Sequence, residues 1–242
     1  MNATRSRPIV IVALDVEERS RAIALVDACG SAIRFYKIGS RLFTAEGPGI
    51  VAAIKALGAS VFLDLKFHDI PATVAGAVRA ATSLGVSMMT VHTSGGAAMM
   101  HAAGEAASAE SKRLGIERPL VVGVTVLTSL SGEDLSRTFG TTGEVRDLVM
   151  RLAAQAREAG LDGIVASVEE TRAVKESLGA GFKVVTPGIR PAGAGAGDQK
   201  RTATPLAARE AGSDFLVVGR PIIEAQSPRE AAERILDELN GE

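Results

Sequence analysis

The chain contains eight short apolar segments, which recur at intervals of about 30 residues with helical patterns between them. The segments are rich in Val, Ile and Leu, which is typical of parallel strands covered on both faces. Eight strands alternating with helices predict an α/β fold in which residues 1–242 form a single (β/α)8 TIM barrel. The predicted strands are residues 9–15, 35–39, 62–67, 88–92, 120–126, 163–167, 183–188 and 215–220.

A doubly wound open sheet is the alternative architecture. Such a sheet usually has fewer strands. The Gly-x-Gly-x-x-Gly pattern that marks many dinucleotide-binding sheets does not follow the first predicted strand. No linker or shift of composition divides the sequence into domains, so the single barrel is the favoured prediction.

The composition limits the partners and the location of the protein. With 242 residues, 46% of them hydrophobic, the chain can bury a substantial core. The formal net charge of -1 argues against nucleic acid and anionic membranes as partners, so we expect a small molecule or another protein. A single cysteine, Cys29, excludes an intramolecular disulfide and fits a cytoplasmic location. The longest apolar runs fall short of the ~20 residues that a membrane-spanning helix needs.

The third predicted strand ends in a charged motif, Asp-x-Lys-x-x-Asp, formed by Asp64, Lys66 and Asp69. Side chains alternate across a strand, so Asp64 and Lys66 are predicted to share one face. The ordinary interpretation of such a pair is a solvated ion pair on an edge strand. Apolar residues at 60–63 and in the helix that begins near Pro71 favour a central strand instead. Because parallel α/β folds bind ligands at the carboxyl ends of their strands, the motif is a candidate active site.

Further charged residues accompany the first two strands. Asp15 ends the first strand, and Lys37 lies in the second, which neighbours the third if the barrel closes. Lys37 would then extend the charged motif into an array of alternating sign. Two like charges about 4 Å apart repel by roughly 4 kcal/mol at an effective dielectric constant of 20, so alternation of sign favours such an array.

Two segments near the end of the chain indicate a phosphate site. A glycine-rich segment after the seventh strand contains Arg190 and Gln199, and the eighth strand ends in Gly219 and Arg220. Loops after strands seven and eight often bind phosphate in this fold, and arginine can bind it through two hydrogen bonds. A flexible surface loop with an arginine at the barrel rim is the alternative. The residue spacings do not favour a structural zinc site, whereas acids alone leave a bound magnesium ion open.

Seven short motifs are distributed over nearly the whole chain. They are Ala13-Leu14-Asp15, Lys37-Ile38-Gly39, Asp64-Leu65-Lys66-Phe67-His68-Asp69-Ile70-Pro71, Val91-His92, Leu127-Thr128-Ser129, Thr186-Pro187-Gly188-Ile189-Arg190 and Val218-Gly219-Arg220-Pro221. In this order they resemble the orotidine 5'-phosphate decarboxylase family, and the third motif is highly specific to it. Ala72 departs from the family pattern, because many members carry asparagine there.

The resemblance implies decarboxylation of orotidine 5'-monophosphate (OMP) to uridine 5'-monophosphate (UMP), the last step of de novo pyrimidine nucleotide synthesis. It also implies a homodimer that uses no metal or organic cofactor. By the same resemblance, Lys66 would protonate the C6 carbanion, and Asp64 would face the leaving carboxylate. Lys37 would bind the ribose and join the charged array, and Asp69 would come from the partner subunit.

The resemblance assigns the remaining site residues as well. Asp15 and Thr73 would contact the ribose, with Thr73 reaching across the dimer interface. Thr128 and Ser129 would lie near the base. The phosphate would be held by Arg190, Gln199, Gly219 and Arg220.

Two other functions stay open. A related barrel enzyme, such as a keto-sugar-phosphate decarboxylase or a pentose-phosphate epimerase, would use Asp-x-Lys around a divalent metal ion. A non-catalytic binder of phosphate ligands would also keep the barrel. Such a binder has no evident need for the charged set Lys37, Asp64, Lys66 and Asp69.

Overall fold

Eight parallel strands close into a barrel in a computed structural model that describes residues 7–140, 143–191 and 201–241. Each strand pairs with the next one along the chain, and the eighth pairs with the first. The predicted (β/α)8 TIM barrel is therefore confirmed. The strands are β1 (Ile9–Ala13), β2 (Phe35–Gly39), β3 (Ser60–Phe67), β4 (Met88–His92), β5 (Leu120–Val124), β6 (Gly163–Val165), β7 (Lys183–Thr186) and β8 (Phe215–Val218).

Helices connect consecutive strands, and local sequence signals begin several of them. Pro71 begins the helix Pro71–Ser83, where its missing N–H is not needed, and Ser167 with Glu170 forms a capping box at the start of the helix Val168–Leu178. In the described residues, no helix is both long and apolar enough to cross a membrane. The helices are α1 (Arg19–Cys29), α2 (Ser40–Glu46), α3 (Gly49–Ala56), α4 (Pro71–Ser83), α5 (Gly96–Leu114), α6 (Gly132–Phe139), α7 (Val145–Glu158), α8 (Val168–Leu178), α9 (Pro205–Ala211), α10 (Arg220–Ile223) and α11 (Pro228–Asn240).

Apolar side chains from alternate strand positions fill the inside of the barrel. Ile11, Phe62, Met88 and Val122 belong to this buried cluster. Every second residue of a strand points to the same side, so Asp64 follows Phe62 one level nearer the carboxyl ends of the strands. The apolar cluster therefore forms a floor beneath the charged residues.

Several strands end two residues earlier than the apolar runs predict. β1 ends at Ala13 rather than at Asp15, and β8 ends at Val218 rather than at Arg220. Several residues beyond these ends line a cavity at the carboxyl ends of the strands. Val126, for example, follows β5 and is 6% exposed.

Two aspartates at the opposite end of the barrel fasten neighbouring strands together. Asp162 precedes β6, and its carboxylate accepts hydrogen bonds from the N–H of Val121 at 2.7 Å and from Arg118 at 2.7 and 2.8 Å. Asp214 precedes β8 in the same way and accepts a hydrogen bond from the N–H of Val184 at 2.8 Å. Each carboxylate thus links the loop before one strand to the backbone of the preceding strand.

We expect Gly163→Ala to destabilise the fold. A Cβ at this position would lie 2.2 Å from the carbonyl oxygen of Lys183, so the pairing of β6 with β7 would have to shift. Overpacking of this kind costs roughly 1–3 kcal/mol or more, which urea unfolding followed by circular dichroism can measure. Gly181→Ala is the control, because a Cβ there has no neighbouring atom within 4 Å. Equal free energies of unfolding for the two variants would contradict the prediction.

Candidate active site

A cavity of about 360 Å³ lies at the carboxyl ends of the strands. Its volume is in the range of small-molecule sites, roughly 300–1,000 Å³. Apolar side chains, including Phe62 and Val185, line it together with polar ones. The residues predicted for the site that line the cavity are Asp15, Lys37, Asp64, Lys66, Thr128, Ser129, Arg190, Gly219 and Arg220.

Four charged side chains in this cavity form a chain of alternating sign. The Lys66 ammonium donates hydrogen bonds to both carboxylate oxygens of Asp64, at 2.9 Å each. The Lys37 ammonium lies 3.5 Å from Asp64 Oδ2 and 3.1 Å from Asp15 Oδ1. We call this set the ionic chain, and its order is Asp15, Lys37, Asp64 and Lys66.

The Asp64 carboxyl is the most constrained member of the ionic chain. Its side chain is 12% exposed, as is that of Lys37, whereas the Lys66 side chain is 35% exposed. Burial acts to raise the pKa of Asp64, but the charges of Lys37 and Lys66, with hydrogen bonds from Lys66 and Thr90, hold that pKa below its ordinary value. Asp64 is therefore a carboxylate at neutral pH, while Lys66 presents its ammonium to the cavity.

Lys66 has an unusual backbone conformation. Its φ of 52° lies in the left-handed region, and no other non-glycine residue in the described chain has a positive φ. Along the pairing of β3 with β4, Leu63 faces Met89 but Phe67 faces Val91, so four steps on β3 correspond to two steps on β4. The regular alternation predicted for this strand therefore stops before Lys66. Strain of this kind is common at functional sites.

Thr90 on β4 contacts both charged residues of β3, although no sequence motif marks it as a site residue. Its hydroxyl accepts a hydrogen bond from the backbone N–H of Lys66 at 2.8 Å and donates one to Asp64 Oδ1 at 3.0 Å. Thr90 is completely buried. The available signal was a polar residue between the apolar residues Met89 and Val91, in the strand that follows the charged motif.

Two histidines lie close to the lysine end of the ionic chain. The ring centroids of His68 and His92 are 5.2 Å apart. Burial lowers the pKa of His92, and the charges of His68 and Lys66 lower it further, against an opposite effect of Asp64. His92 is therefore neutral at neutral pH and adds no charge to the site.

Two arginines line the cavity where β7 and β8 end. Burial lowers the pKa of Arg190, and the charge of Arg220 lowers it further, whereas Glu224 raises it. Both arginines line the same cavity, so their like charges repel each other. The backbone N–H of Arg190 donates to the carbonyl of Ala203 at 2.9 Å, which fixes the chain at this point. An anion bound by both arginines would relieve their repulsion.

Comparison of the sequence with a family model and with known proteins shows the family of this chain. Residues 8–235 match the model of the orotidine 5'-phosphate decarboxylase / HUMPS family. The chain belongs to this family. The orotidine 5'-phosphate decarboxylase of Moorella thermoacetica is 49% identical over 230 residues, which cover 95% of this chain and 91% of that protein. The one from Vibrio cholerae is 49% identical over 233 residues, which cover 96% of this chain and 97% of that protein.

A solved structure supports the same conclusion for the fold of this decarboxylase-family chain. The crystal structure of orotidine 5'-phosphate decarboxylase from Lactobacillus acidophilus superposes with a TM-score of 0.85 and is 36% identical in sequence. The match covers 97% of this chain and 100% of that one. Both the barrel and the order of its elements are therefore shared with a named member of the family.

Two residues predicted from the decarboxylase family, Asp69 and Thr73, do not line the cavity of the single chain. Asp69 and Thr73 are exposed on the single chain, and the Asp69 carboxylate accepts a hydrogen bond from the N–H of Ile70 at 2.6 Å. Gln199 lies outside the described residues. The contacts expected of these three residues stay predictions.

The left-handed backbone of Lys66 predicts an unusual order of stability for two variants. We expect Lys66→Gly to be more stable than Lys66→Ala, although both remove the ammonium. In the folded state, the left-handed conformation costs a residue with a Cβ roughly 1–2 kcal/mol. The lower entropy of the unfolded chain favours alanine over glycine by only about 0.4–1 kcal/mol. Urea unfolding should therefore favour the glycine variant by about 0.5–1 kcal/mol.

The same pair of substitutions at Lys37 is the control. Lys37 lies in β2 and has no positive φ, so Lys37→Ala should be the more stable variant there. An alanine variant at Lys66 that is as stable as the glycine variant would show that the left-handed conformation does not determine its stability.

Proposed function

We propose that Lys66 protonates the C6 carbanion that forms when this enzyme decarboxylates OMP to UMP in pyrimidine biosynthesis. The carboxy-lyase reaction follows from the family and from relatives that are 49% identical over nearly their whole length. The role of Lys66 is supported by one observation above all. Its ammonium is held 2.9 Å from both oxygens of Asp64, in the cavity and accessible to a ligand.

The reaction breaks the bond between C6 and the carboxylate, and the electron pair stays on C6 as carbon dioxide leaves. A proton then moves from Lys66 Nζ to C6, which gives UMP and a neutral amine. Preorganised positive charge stabilises a carbanion as it develops. A proton donor that is already next to C6 can protonate the carbanion without an acid having to diffuse in from solution. A single lysine supplies both in this proposal, which uses no cofactor.

Asp64 has two roles in this proposal, one toward Lys66 and one toward the substrate. It holds the ammonium by two hydrogen bonds, so little reorganisation is needed at the moment of proton transfer. We also propose that it faces the substrate carboxylate. Two carboxylates about 4 Å apart repel by roughly 4 kcal/mol at an effective dielectric constant of 20, and departure of carbon dioxide removes that repulsion.

The remaining cavity residues bind the rest of the nucleotide in our proposal. Asp15 and Lys37 contact the ribose from one end of the ionic chain, and Thr128 and Ser129 contact the base. The presence of two arginines in the cavity lining where β7 and β8 end supports a phosphate site there. The phosphate residues are Arg190, Gly219 and Arg220, together with Gln199 outside the described part of the chain.

We propose that the enzyme is a homodimer in which Asp69 and Thr73 enter the partner's cavity. Both residues are exposed on the single chain. Asp69 lies between β3 and α4, and Thr73 lies in the first turn of α4. Ile70, between them, is 66% exposed, the highest value among the large apolar side chains of the described residues, and a partner subunit would cover it. A partner's Asp69 would add one more negative charge beside Lys66 and continue the alternation of sign.

The rival functions differ from this proposal in an observable way. A sugar-phosphate enzyme of a related barrel family would need a divalent ion, and a non-catalytic binder would not turn over OMP. Loss of OMP absorbance in excess EDTA separates the three functions.

We propose a cytoplasmic location as well, which the biosynthetic role and the single cysteine support.

We expect the wild type to convert OMP to UMP in excess EDTA, and Lys66→Ala to lose at least about 100-fold in kcat because its proton donor is gone. UMP binding to the variant, measured by calorimetry, should change little. Lys112→Ala, which removes an exposed lysine at the end of α5, is the matched control and should keep full activity. Near wild-type turnover by Lys66→Ala would eliminate Lys66 as the donor, and turnover that requires added magnesium would favour the metal-dependent rivals.

Mixing two inactive variants tests the shared site. In a hybrid dimer of Lys66→Ala with Asp69→Ala, one cavity combines both substitutions and the other is intact, if Asp69 crosses the interface. Random exchange of subunits should then restore about a quarter of the wild-type activity. Each variant treated alone is the control. A mixture as inactive as its components, with exchange shown by mass spectrometry, would place Asp69 in the cavity of its own chain.

A further inference from the structure

We infer that Thr90 is a positioning residue whose single hydroxyl sets the geometry of both Lys66 and Asp64. The inference rests on the proposed roles of these two residues and adds a third that touches neither substrate nor product. Thr90 does not line the cavity, so any effect that it has on turnover must pass through the residues that it contacts.

The Thr90 hydroxyl accepts one of its two hydrogen bonds and donates the other. A hydroxyl has one proton to donate and two lone pairs that accept. The backbone N–H of Lys66 can only donate, and the Asp64 carboxylate can only accept, so both directions are fixed. The Thr90 oxygen therefore links the backbone N–H of Lys66 to the Asp64 carboxylate. The same carboxylate accepts hydrogen bonds from the Lys66 ammonium.

The irregular pairing of β3 with β4 explains why a side chain makes this link. Between the Leu63 and Phe67 pairs, β3 has three residues where β4 has only Thr90. A ladder with this mismatch cannot give every N–H of β3 a carbonyl partner on β4. The Thr90 hydroxyl takes the place of such a carbonyl for Lys66.

Pairing with β5, on the side of β4 away from β3, holds Thr90 in place. Its backbone lies in the regular part of the β4–β5 ladder, opposite Val122. A β-branched side chain in a strand also has restricted χ1 freedom, so the hydroxyl is directed before any ligand binds. The strained backbone of Lys66 is thus supported by a well-ordered neighbouring strand.

Loss of the hydroxyl would leave the Lys66 N–H buried without its partner and remove a hydrogen bond from Asp64. The left-handed conformation would then lose the contact that offsets its strain. A displacement of about 1 Å at a catalytic group can cost on the order of 100-fold in rate. Substrate affinity, which depends on other residues of the cavity, would be much less affected.

Thr90→Val and Thr90→Ser test this inference. Valine keeps the shape without the hydroxyl, whereas serine keeps the hydroxyl and loses a methyl group. We expect Thr90→Val to lower kcat for OMP by about 10–100-fold with KM within about threefold, and Thr90→Ser to stay within about fivefold of the wild type. Rates are expressed per folded molecule, so a merely structural loss would not lower kcat.

Thr82→Val is the matched control. Thr82 is also completely buried, and its hydroxyl donates to the carbonyl of Val78 within α4, away from the cavity. This variant should lower the unfolding temperature without lowering kcat. Should Thr90→Val not fold, Thr90→Ala removes the same hydroxyl with a smaller side chain, and the same loss of kcat is expected.

The outcomes separate this inference from the proposed function. Wild-type turnover together with an inactive Lys66→Ala variant supports the proposed function, and the Thr90 variants then judge the positioning role alone. A kcat of Thr90→Val within twofold of the wild type would overturn the inference. So would a Thr90→Ser variant as impaired as Thr90→Val, because the methyl group and not the hydroxyl would then matter.

Discussion

A buried carboxylate between two ammonium groups determines the arrangement of the site. Burial alone would drive Asp64 toward its neutral form, and the charges of Lys37 and Lys66 prevent this. Without the negative charge of Asp64, the two cations would face each other in a poorly solvated cavity, where like charges about 4 Å apart repel by roughly 4 kcal/mol at an effective dielectric constant of 20. The position of Lys66 therefore depends on charge balance as much as on packing.

The barrel makes this balance possible. Neighbouring parallel strands bring Lys37 of β2 next to Asp64 of β3, and the apolar cluster beneath them keeps water from below. An isolated charge in such a place would carry a large desolvation penalty, which paired and hydrogen-bonded charges reduce. Regular β structure supplies most of the site, but Lys66 lies where the regular structure ends. Lys66 leaves the extended conformation at the point where β3 and β4 lose register.

The sequence was sufficient to predict the barrel and most of the cavity, because both depend on local patterns. Apolar runs marked the strands, and Asp15, Lys37 and Asp64 are polar residues at or near their ends. The predicted strands were too long where apolar residues line the cavity, since burial by a cavity wall and burial in a ladder give the same pattern. Thr90 was missed because its importance arises from a register shift between two strands, which no local pattern reveals. Asp69 does not line the cavity of the single chain, and its predicted role depends on a second subunit.

Aspartate serves opposite purposes at the two ends of this barrel. At the carboxyl ends of the strands, Asp64 is surrounded by cations in a cavity that admits a ligand. At the amino ends, the carboxylates of Asp162 and Asp214 accept hydrogen bonds from backbone N–H groups and from neighbouring cationic side chains, and neither residue lines the cavity of the site. The length of the strands separates these two sets of carboxylates. Mutations that adjust thermal tolerance can therefore accumulate at one end without altering turnover at the other, which lets selection act on the two properties independently.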